Sequence, residues 1–335
     1  MKSTIIFNNK PVIKGYASVA GKKEIEGNLS EYFDYTDTDQ YFKKDTWEQA
    51  ESEIQRIAVD TALNKSNLTP EDINFIFAGD LVNQCVSSTY GLRDFHIPFL
   101  GVYGACSTMA ESLLLATCMV NAGYGKLAIG VTSSHFSSAE RQFRMPLSYG
   151  GQRTPSAQWT VTGGGAVIVE ENSGQGDIFI KSATVGKLVD YDIKDATNMG
   201  AAMAPAAADT IQTFLKDTEI SLSNIDFIIT GDLGYVGSEL LIDILQKEGI
   251  DISSKHRDCG IMIYDKDTQD THSGGSGCGC GASVLTAYFL PKLQKKEIKN
   301  ILFCATGALM SPTLSQQGES IPSIAHLLHI SSSEN

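Results

Sequence analysis

A ten-residue segment occurs twice in this chain, and the repeat restricts the folds that the chain can adopt. "DINFIFAGDL" at 72–81 returns as "NIDFIITGDL" at 224–233, with six identical positions and two exchanges between Asp and Asn. Both copies are short apolar runs that end in Gly-Asp-Leu, the pattern of a buried strand followed by a turn. A helical pattern precedes each copy. The repeat predicts two similar α/β halves that pack about a pseudo-twofold axis.

A second, looser repeat supports this division. "GACSTMAESLLLATC" at 104–118 parallels "GSGCGCGASVLTAYF" at 275–289, and in each a Gly/Cys turn opens a helix that leads to an apolar strand. Cys106 and Cys278 occupy equivalent places, each four residues before an alanine. We therefore expect one half over residues 1–175 and a second over residues 176–335.

The charge and the cysteine content exclude several classes of function. The net charge is -13 and no Lys/Arg block is visible, so binding to nucleic acid is not expected. An odd number of cysteines, seven, fits a reducing compartment better than a disulfide framework. The N-terminus lacks the pattern of a signal peptide, and no apolar run is long enough to span a membrane. We expect a soluble chain.

Cys106 lies where an apolar strand pattern ends and a helix pattern begins. The free N–H groups of a helix start point toward such a residue, which favours a reactive thiolate. The same groups also suit a pocket that holds a carboxylate without any reaction. The sequence therefore predicts a functional site at Cys106. The cysteine is either a nucleophile or part of a pocket that binds a carboxylate without reaction.

Several motifs together resemble the thiolase superfamily, which includes the β-ketoacyl synthases. They are "GACSTMAESL", "MGAAMAPAAADTI" and "GGSGCGC". With "AERQFRMPLSYGGQR" and "ATGALMSPT", they are most similar to a sporulation branch of that superfamily. The resemblance implies a thiolase-like five-layered αβαβα sandwich built from two duplicated halves.

The resemblance also implies a function. Members of this branch serve the uptake of pyridine-2,6-dicarboxylate (dipicolinate) into the forespore, and the thiolase-like pocket is implied to bind this ligand, either free or as its calcium complex. Implied partners are the membrane proteins of the same spore transport system. The implied location is the periphery of the forespore or inner spore membrane. Thiolases are commonly dimers, so a homodimer is also expected.

Catalysis by the site depends on a base next to Cys106, which matches the family nucleophile. Where the synthases carry a His after the second-half strand, this chain has Gly231-Asp232. A carboxylate near a thiol raises the pKa of the thiol, which weakens the nucleophile. His272 is the one imidazole near the next family position. We therefore favour ligand binding without catalysis at a vestigial nucleophile position. The alternative is an acyltransferase or condensing enzyme that uses Cys106.

A dicarboxylate needs fixed cations and polar donors. Arg141 and Arg144 stand three residues apart in "SAERQFR", which places them on one face of a helix that Ser138 could cap. We predict that these arginines bind the anion. Further predicted ligand-binding residues are an amide, two imidazoles and a hydroxyl beside the Gly-rich turn: Asn83, His135, His272 and Ser276.

The glycine- and cysteine-rich segment 273–281 gives no sign of a cofactor. Cys278 and Cys280 form a C-x-C spacing, whereas zinc sites commonly use C-x-x-C. The segment also lacks the context of a dinucleotide fingerprint. Neither a metal nor an organic cofactor is expected.

Overall fold

The computed structural model describes residues 2–143 and 153–334. Its strands in the first part of the chain are β1 (Thr4–Ile6), β2 (Val12–Ala20), β3 (Tyr35–Thr36), β4 (Phe75–Gly79), β5 (Phe99–Gly101), β6 (Leu127–Ser134), β7 (Trp159–Thr160) and β8 (Gly163–Glu170). The later strands are β9 (Phe179–Thr184), β10 (Phe227–Thr230), β11 (His256–Asp258), β12 (Gly275–Ser276), β13 (Asn300–Ala308) and β14 (Ser323–Ser331).

The α-helices alternate with these strands. They are α1 (Lys22–Ile25), α2 (Trp47–Lys65), α3 (Val86–Leu92), α4 (Thr108–Asn121), α5 (Phe136–Phe143), α6 (Met199–Thr218), α7 (Gly234–Lys247), α8 (Cys259–Ile263), α9 (Cys278–Val284), α10 (Leu290–Gln294) and α11 (Pro312–Gln316). Side-chain caps fix the starts of the two longest ones. Thr46 accepts a hydrogen bond from the Gln49 N–H, and Asn198 accepts one from the Ala201 N–H.

The sheet shows the duplication that the sequence repeat predicts. The first half contributes strands in the order β2-β8-β6-β4-β5, and the second contributes β9-β14-β13-β10-β11. In both sets the first two neighbouring pairs are antiparallel and the last two are parallel. The two sets meet where Val12 of β2 pairs with Phe179 of β9.

Helices form the outer and central layers around these two sets of strands. The helix α2 packs Ile54 and Ala58 against the first set, and α6 packs Ile211 and Phe214 against the second. Between the sets lie α4 and α9, whose sequences are apolar or small on nearly all sides, as a helix buried on all faces requires. The order of layers is αβαβα, as the sequence predicts.

The repeated segment forms equivalent structures in the two halves. Its copies become β4 and β10, and each strand is followed by an aspartate with no exposed surface, Asp80 and Asp232. The connection between β8 and β9 contains the position 175/176 at which we divide the chain.

All seven cysteines are free thiols. Within the part of the chain that the structure describes, no helix combines the length and the hydropathy needed to cross a lipid bilayer.

Candidate functional site

Cys106 lies in a tight turn between β5 and α4. Ala105 adopts a left-handed backbone conformation with φ of +50°, which reverses the chain just before the cysteine. Hydroxyl groups close the turn: Ser107 Oγ donates to the Gly104 carbonyl at 2.7 Å, and Thr108 Oγ1 donates to the Ala105 carbonyl at 2.6 Å. The Ser-Thr pair that follows the cysteine therefore stabilises the turn that carries it.

Asp232 reaches the same point from the second half of the chain. It follows β10 and is fully buried. Its Oδ2 accepts the Gly277 N–H at 2.9 Å and the Ser276 hydroxyl at 3.3 Å, and its Oδ1 accepts the Thr306 hydroxyl at 3.0 Å. The Cys106 thiol interacts electrostatically with this carboxylate. Two segments of the second half, the Ser276–Gly277 turn and β13, therefore hold Asp232 in place beside the thiol.

Burial and this contact decide the protonation of both groups. Burial raises the pKa of Asp232 to about 7, although the hydrogen bonds from Cys106 and Gly277 oppose the shift. Burial, and then the charge of Asp232, raise the pKa of the Cys106 thiol well above its ordinary value. This is the direction that the sequence predicts. The thiol is therefore protonated at neutral pH and is a weak nucleophile.

Cys106 opens into a cavity of about 430 Å³, its mouth included. The described walls combine side chains from both halves and are mostly apolar: Leu81, Ala105, Cys106, Ala139, Glu140, Phe143, Thr160, Met199, Ser276, Ala308 and Met310. The polar groups among them are the thiol, two hydroxyls and the Glu140 carboxyl. These described walls contain neither Lys nor Arg.

Two of the predicted ligand-binding residues, Cys106 and Ser276, meet in this cavity. Asn83 is exposed in a turn beyond β4, and His272 Nε2 lies 2.8 Å from Asp270 Oδ1 in an ion-pair position. Glu140, Thr160 and Met199 also line the cavity, although none of them was a predicted site residue. Glu140 and Met199 lie within the family motifs quoted above, which is the signal that could have identified them.

Arg141, one of the two predicted arginines, is not among the described walls of the Cys106 cavity. The Arg141 guanidinium donates to Glu48 and lies 5.3 Å above the ring of Trp47, on the exposed side of α5. Arg144 lies outside the described residues. The helix also begins at Phe136, so Ser138 is within its first turn and does not cap it as predicted.

His135 lines a different cavity from Cys106. Its Nδ1 accepts the Ser137 N–H at 3.1 Å, so its Nε2 carries the proton and donates to the Gln40 carbonyl at 2.8 Å. Burial lowers the pKa of this imidazole, which favours the neutral ring. Both ring nitrogens are therefore used within the protein.

Cys278, one of the two cysteines of the C-x-C motif, is hydrogen-bonded within the protein. Cys278 Sγ donates to the Ser133 carbonyl at 3.0 Å. Across residues 2–143 and 153–334, no group of three or more His, Cys, Asp or Glu side chains is arranged to hold a metal ion.

The family model for Stage V sporulation protein AD (SpoVAD) matches residues 1–331. The chain belongs to the SpoVAD family. It is similar to Stage V sporulation protein AD of Bacillus subtilis (strain 168), with 45% identity over 325 residues, which cover 97% of this chain and 95% of the relative. This SpoVAD-family membership assigns the chain a role in sporulation.

Solved structures show that the SpoVAD-family chain has the fold of condensing enzymes. It superposes on 3-oxoacyl-[acyl-carrier-protein] synthase III from Aquifex aeolicus VF5 with a TM-score of 0.59 and 13% identity, over 96% of this chain and 99% of that one. A variant of OleA from Xanthomonas campestris gives a TM-score of 0.61 and 14% identity, over 97% and 99% of the two chains. The thiolase-like fold that the sequence predicts is confirmed.

Proposed function

We propose that this chain is a dipicolinate-binding protein that acts without catalysis in the uptake of dipicolinate into the forespore. The observation that carries the proposal is the contact between Asp232 and Cys106. A condensing enzyme needs a thiolate and a base beside it, whereas here a carboxylate stabilises the protonated thiol. The chain has the fold of the condensing enzymes, and in this proposal its cysteine lines a ligand cavity and does not attack a substrate.

The lining of the cavity has the composition of a small-molecule site, mostly apolar side chains with a few polar groups. Apolar side chains such as Leu81 and Met199 suit the faces of a ring, and the hydroxyl of Thr160 is a donor for a carboxylate. The Glu140 carboxyl is an oxygen ligand of the type that Ca²⁺ prefers, so the calcium complex of dipicolinate is a candidate beside the free acid.

The remaining parts of the proposal concern partners and place. Membrane proteins of the same spore transport system would receive the ligand from this chain, at the periphery of the forespore or inner spore membrane. Family membership supports this arrangement through the role in sporulation.

Calorimetric titration of the purified protein tests the proposal. We expect saturable binding of dipicolinate, measured with and without Ca²⁺, and weaker binding of picolinate, which has one carboxylate. Cys106→Ser keeps most of the affinity because the thiol only lines the cavity. Ala139→Phe fills the cavity and abolishes binding there. Equal affinity for dipicolinate in the wild-type protein and in Ala139→Phe would place the ligand elsewhere.

The second candidate function is acyl transfer through Cys106. The position of the cysteine at the start of α4, in the fold of condensing enzymes, favours it. Incubation with an acyl-CoA followed by mass spectrometry distinguishes the two functions. Stoichiometric acylation of Cys106 would establish the enzyme, and an unmodified Cys106 peptide is the result that we expect.

A further inference from the structure

A second cavity shares a wall with the Cys106 cavity. Strand β7 separates them: Thr160 lines the Cys106 cavity, whereas Trp159 lines the second one, as alternation along a strand requires. Helix α5 contributes to both sides, with Ala139 on the first and Phe136 on the second. The second cavity, which we call the outer cavity, encloses about 510 Å³ with its mouth.

The outer cavity concentrates positive charge in an acidic chain. Lys22 and Lys23 line it from α1, and the Lys23 ammonium lies 4.2 Å from the centre of the Trp159 ring. Phe136 stacks on that ring at 3.8 Å, so the ammonium must approach from the opposite face. The Arg153 guanidinium also lies over the ring, at 4.9 Å. The described walls of the Cys106 cavity, in contrast, offer a carboxyl and no cation.

A buried acid beside the lysines gives a second, independent sign of a ligand. Glu24 has no exposed surface and lines the outer cavity. Its Oε1 accepts the Tyr264 hydroxyl and the Thr162 N–H, the latter at 3.0 Å. Its Oε2 has no hydrogen-bond partner among the described residues. Burial raises the pKa of Glu24 to about 7, so a large share of the side chain carries a proton that it can donate near neutral pH.

The geometry points to the outer cavity as a binding site for small carboxylate anions, held by Lys22 and Lys23 beside the buried Glu24. The ammonium groups attract the anion. A protonated Glu24 adds no negative charge beside the lysines, so it does not repel the anion. This inference rests on the proposed function in one respect: the ligand binds first in the outer cavity and then moves to the Cys106 cavity.

Trp159 makes the site directly observable. The chain has two tryptophans, so Trp47→Phe leaves Trp159 as the only one and keeps an aromatic ring under Arg141. We expect titration of this variant with dipicolinate to change the Trp159 emission saturably. Adding Lys22→Gln and Lys23→Gln should weaken the affinity read from this signal by about tenfold or more.

A matched control removes the same charge elsewhere. Lys295 and Lys296 are an exposed lysine pair beyond α10, and Lys295→Gln with Lys296→Gln should leave the Trp159 titration unchanged. Equal weakening by both pairs would mean attraction by overall charge and would overturn the site. An unchanged affinity after the Lys22 and Lys23 substitutions would overturn it as well.

The fate of the Cys106 cavity can be separated from that of the outer cavity. In a Trp47→Phe, Ala139→Phe protein, calorimetry should lose one binding event while the Trp159 signal persists. Loss of the Trp159 signal with the Cys106 cavity alone filled would overturn the independent outer site. If calorimetry instead shows the same single event with and without Ala139→Phe and the signal persists, the outer site stands and the proposed use of the Cys106 cavity fails.

Discussion

The carboxylate of Asp232 acts on the thiol of Cys106, although the two residues come from different halves of the chain, and its charge raises the pKa of that thiol. This contact reverses the chemistry of the strand–helix turn. The start of a helix stabilises a thiolate, but the fully buried carboxylate and the lack of water stabilise the thiol. The cavity is therefore a place where a ligand can bind beside the sulfur without being attacked.

Removing the charge of Asp232 should activate Cys106. In Asp232→Asn the carboxylate is gone while an oxygen remains to accept the Gly277 N–H, so the pKa of the thiol falls toward its ordinary value. We expect iodoacetamide to alkylate Cys106 about tenfold faster at pH 8, measured by mass spectrometry of the Cys106 peptide.

Cys118 is an internal reference for that experiment because it is partly exposed on α4, and its alkylation rate should stay constant. Asp232→His is the stronger variant, since an imidazole beside the thiol restores the pair that a condensing enzyme needs. Equal Cys106 rates in the wild-type protein and both variants would show that the carboxylate does not control the thiol.

The same aspartate should make stability depend on pH. Its pKa is about 7 in the folded protein and 3.8 for the ordinary side chain, so the folded state binds an additional proton between these values. The stability that this proton contributes is present below pH 4 and is lost as the pH rises through 7. Asp232→Asn does not titrate. Between pH 5 and pH 8 the wild-type protein should lose about 3 kcal/mol relative to the variant, measured by urea unfolding. Parallel pH profiles would contradict the raised pKa.

The duplication could be predicted because each copy of the repeat is a short, continuous segment of the sequence. The Gly-Asp-Leu endings predicted β4 and β10, and the matched cysteines predicted the starts of α4 and α9. Short apolar runs and turn residues determine these elements, and two copies of the same signal reinforce each other. The two similar α/β halves could therefore be predicted from the repeat, whereas the five-layered arrangement was implied by the resemblance to the thiolase superfamily.

The anion site could not be predicted in the same way, because its residues depend on contacts between distant segments. The Arg141 guanidinium donates a hydrogen bond to Glu48, which lies 93 residues earlier in the sequence. The His135 imidazole donates one to the Gln40 carbonyl, 95 residues earlier. Helical spacing identifies which side chains share a face of α5 but not which partners face them. The sequence alone likewise gave no sign that Lys22 and Lys23 lie beside Trp159.

Close packing between the two halves should make the Cys106 turn sensitive to one added methyl group. A Cβ on Gly307 of β13 would lie 2.2 Å from the Gly104 carbonyl oxygen, so Gly307→Ala must displace the turn. We expect a loss of about 1–3 kcal/mol in stability and weaker ligand binding.

Gly281→Ala is the matched control. Its Cβ would meet only ordinary contacts at 3.4 Å or more in α9, and it should raise stability by about 0.5–1 kcal/mol. Thermal unfolding of both variants checks this, and equal melting temperatures would contradict it.

The edge strand β5 is the surface on which we propose that a homodimer forms. It is the last strand on its side of the sheet, and Phe99 and Leu100 on it are 38% and 46% exposed. An open strand edge with large apolar side chains pairs readily with a second chain. Leu100→Glu places a charge on that edge and should convert a dimer into a monomer in light scattering coupled to size-exclusion chromatography. Leu314→Glu makes the same change at a 50% exposed leucine of α11 and should leave the mass of the particle unchanged. A wild-type protein that elutes as a monomer, or a dimer that survives Leu100→Glu, would rule out pairing through β5.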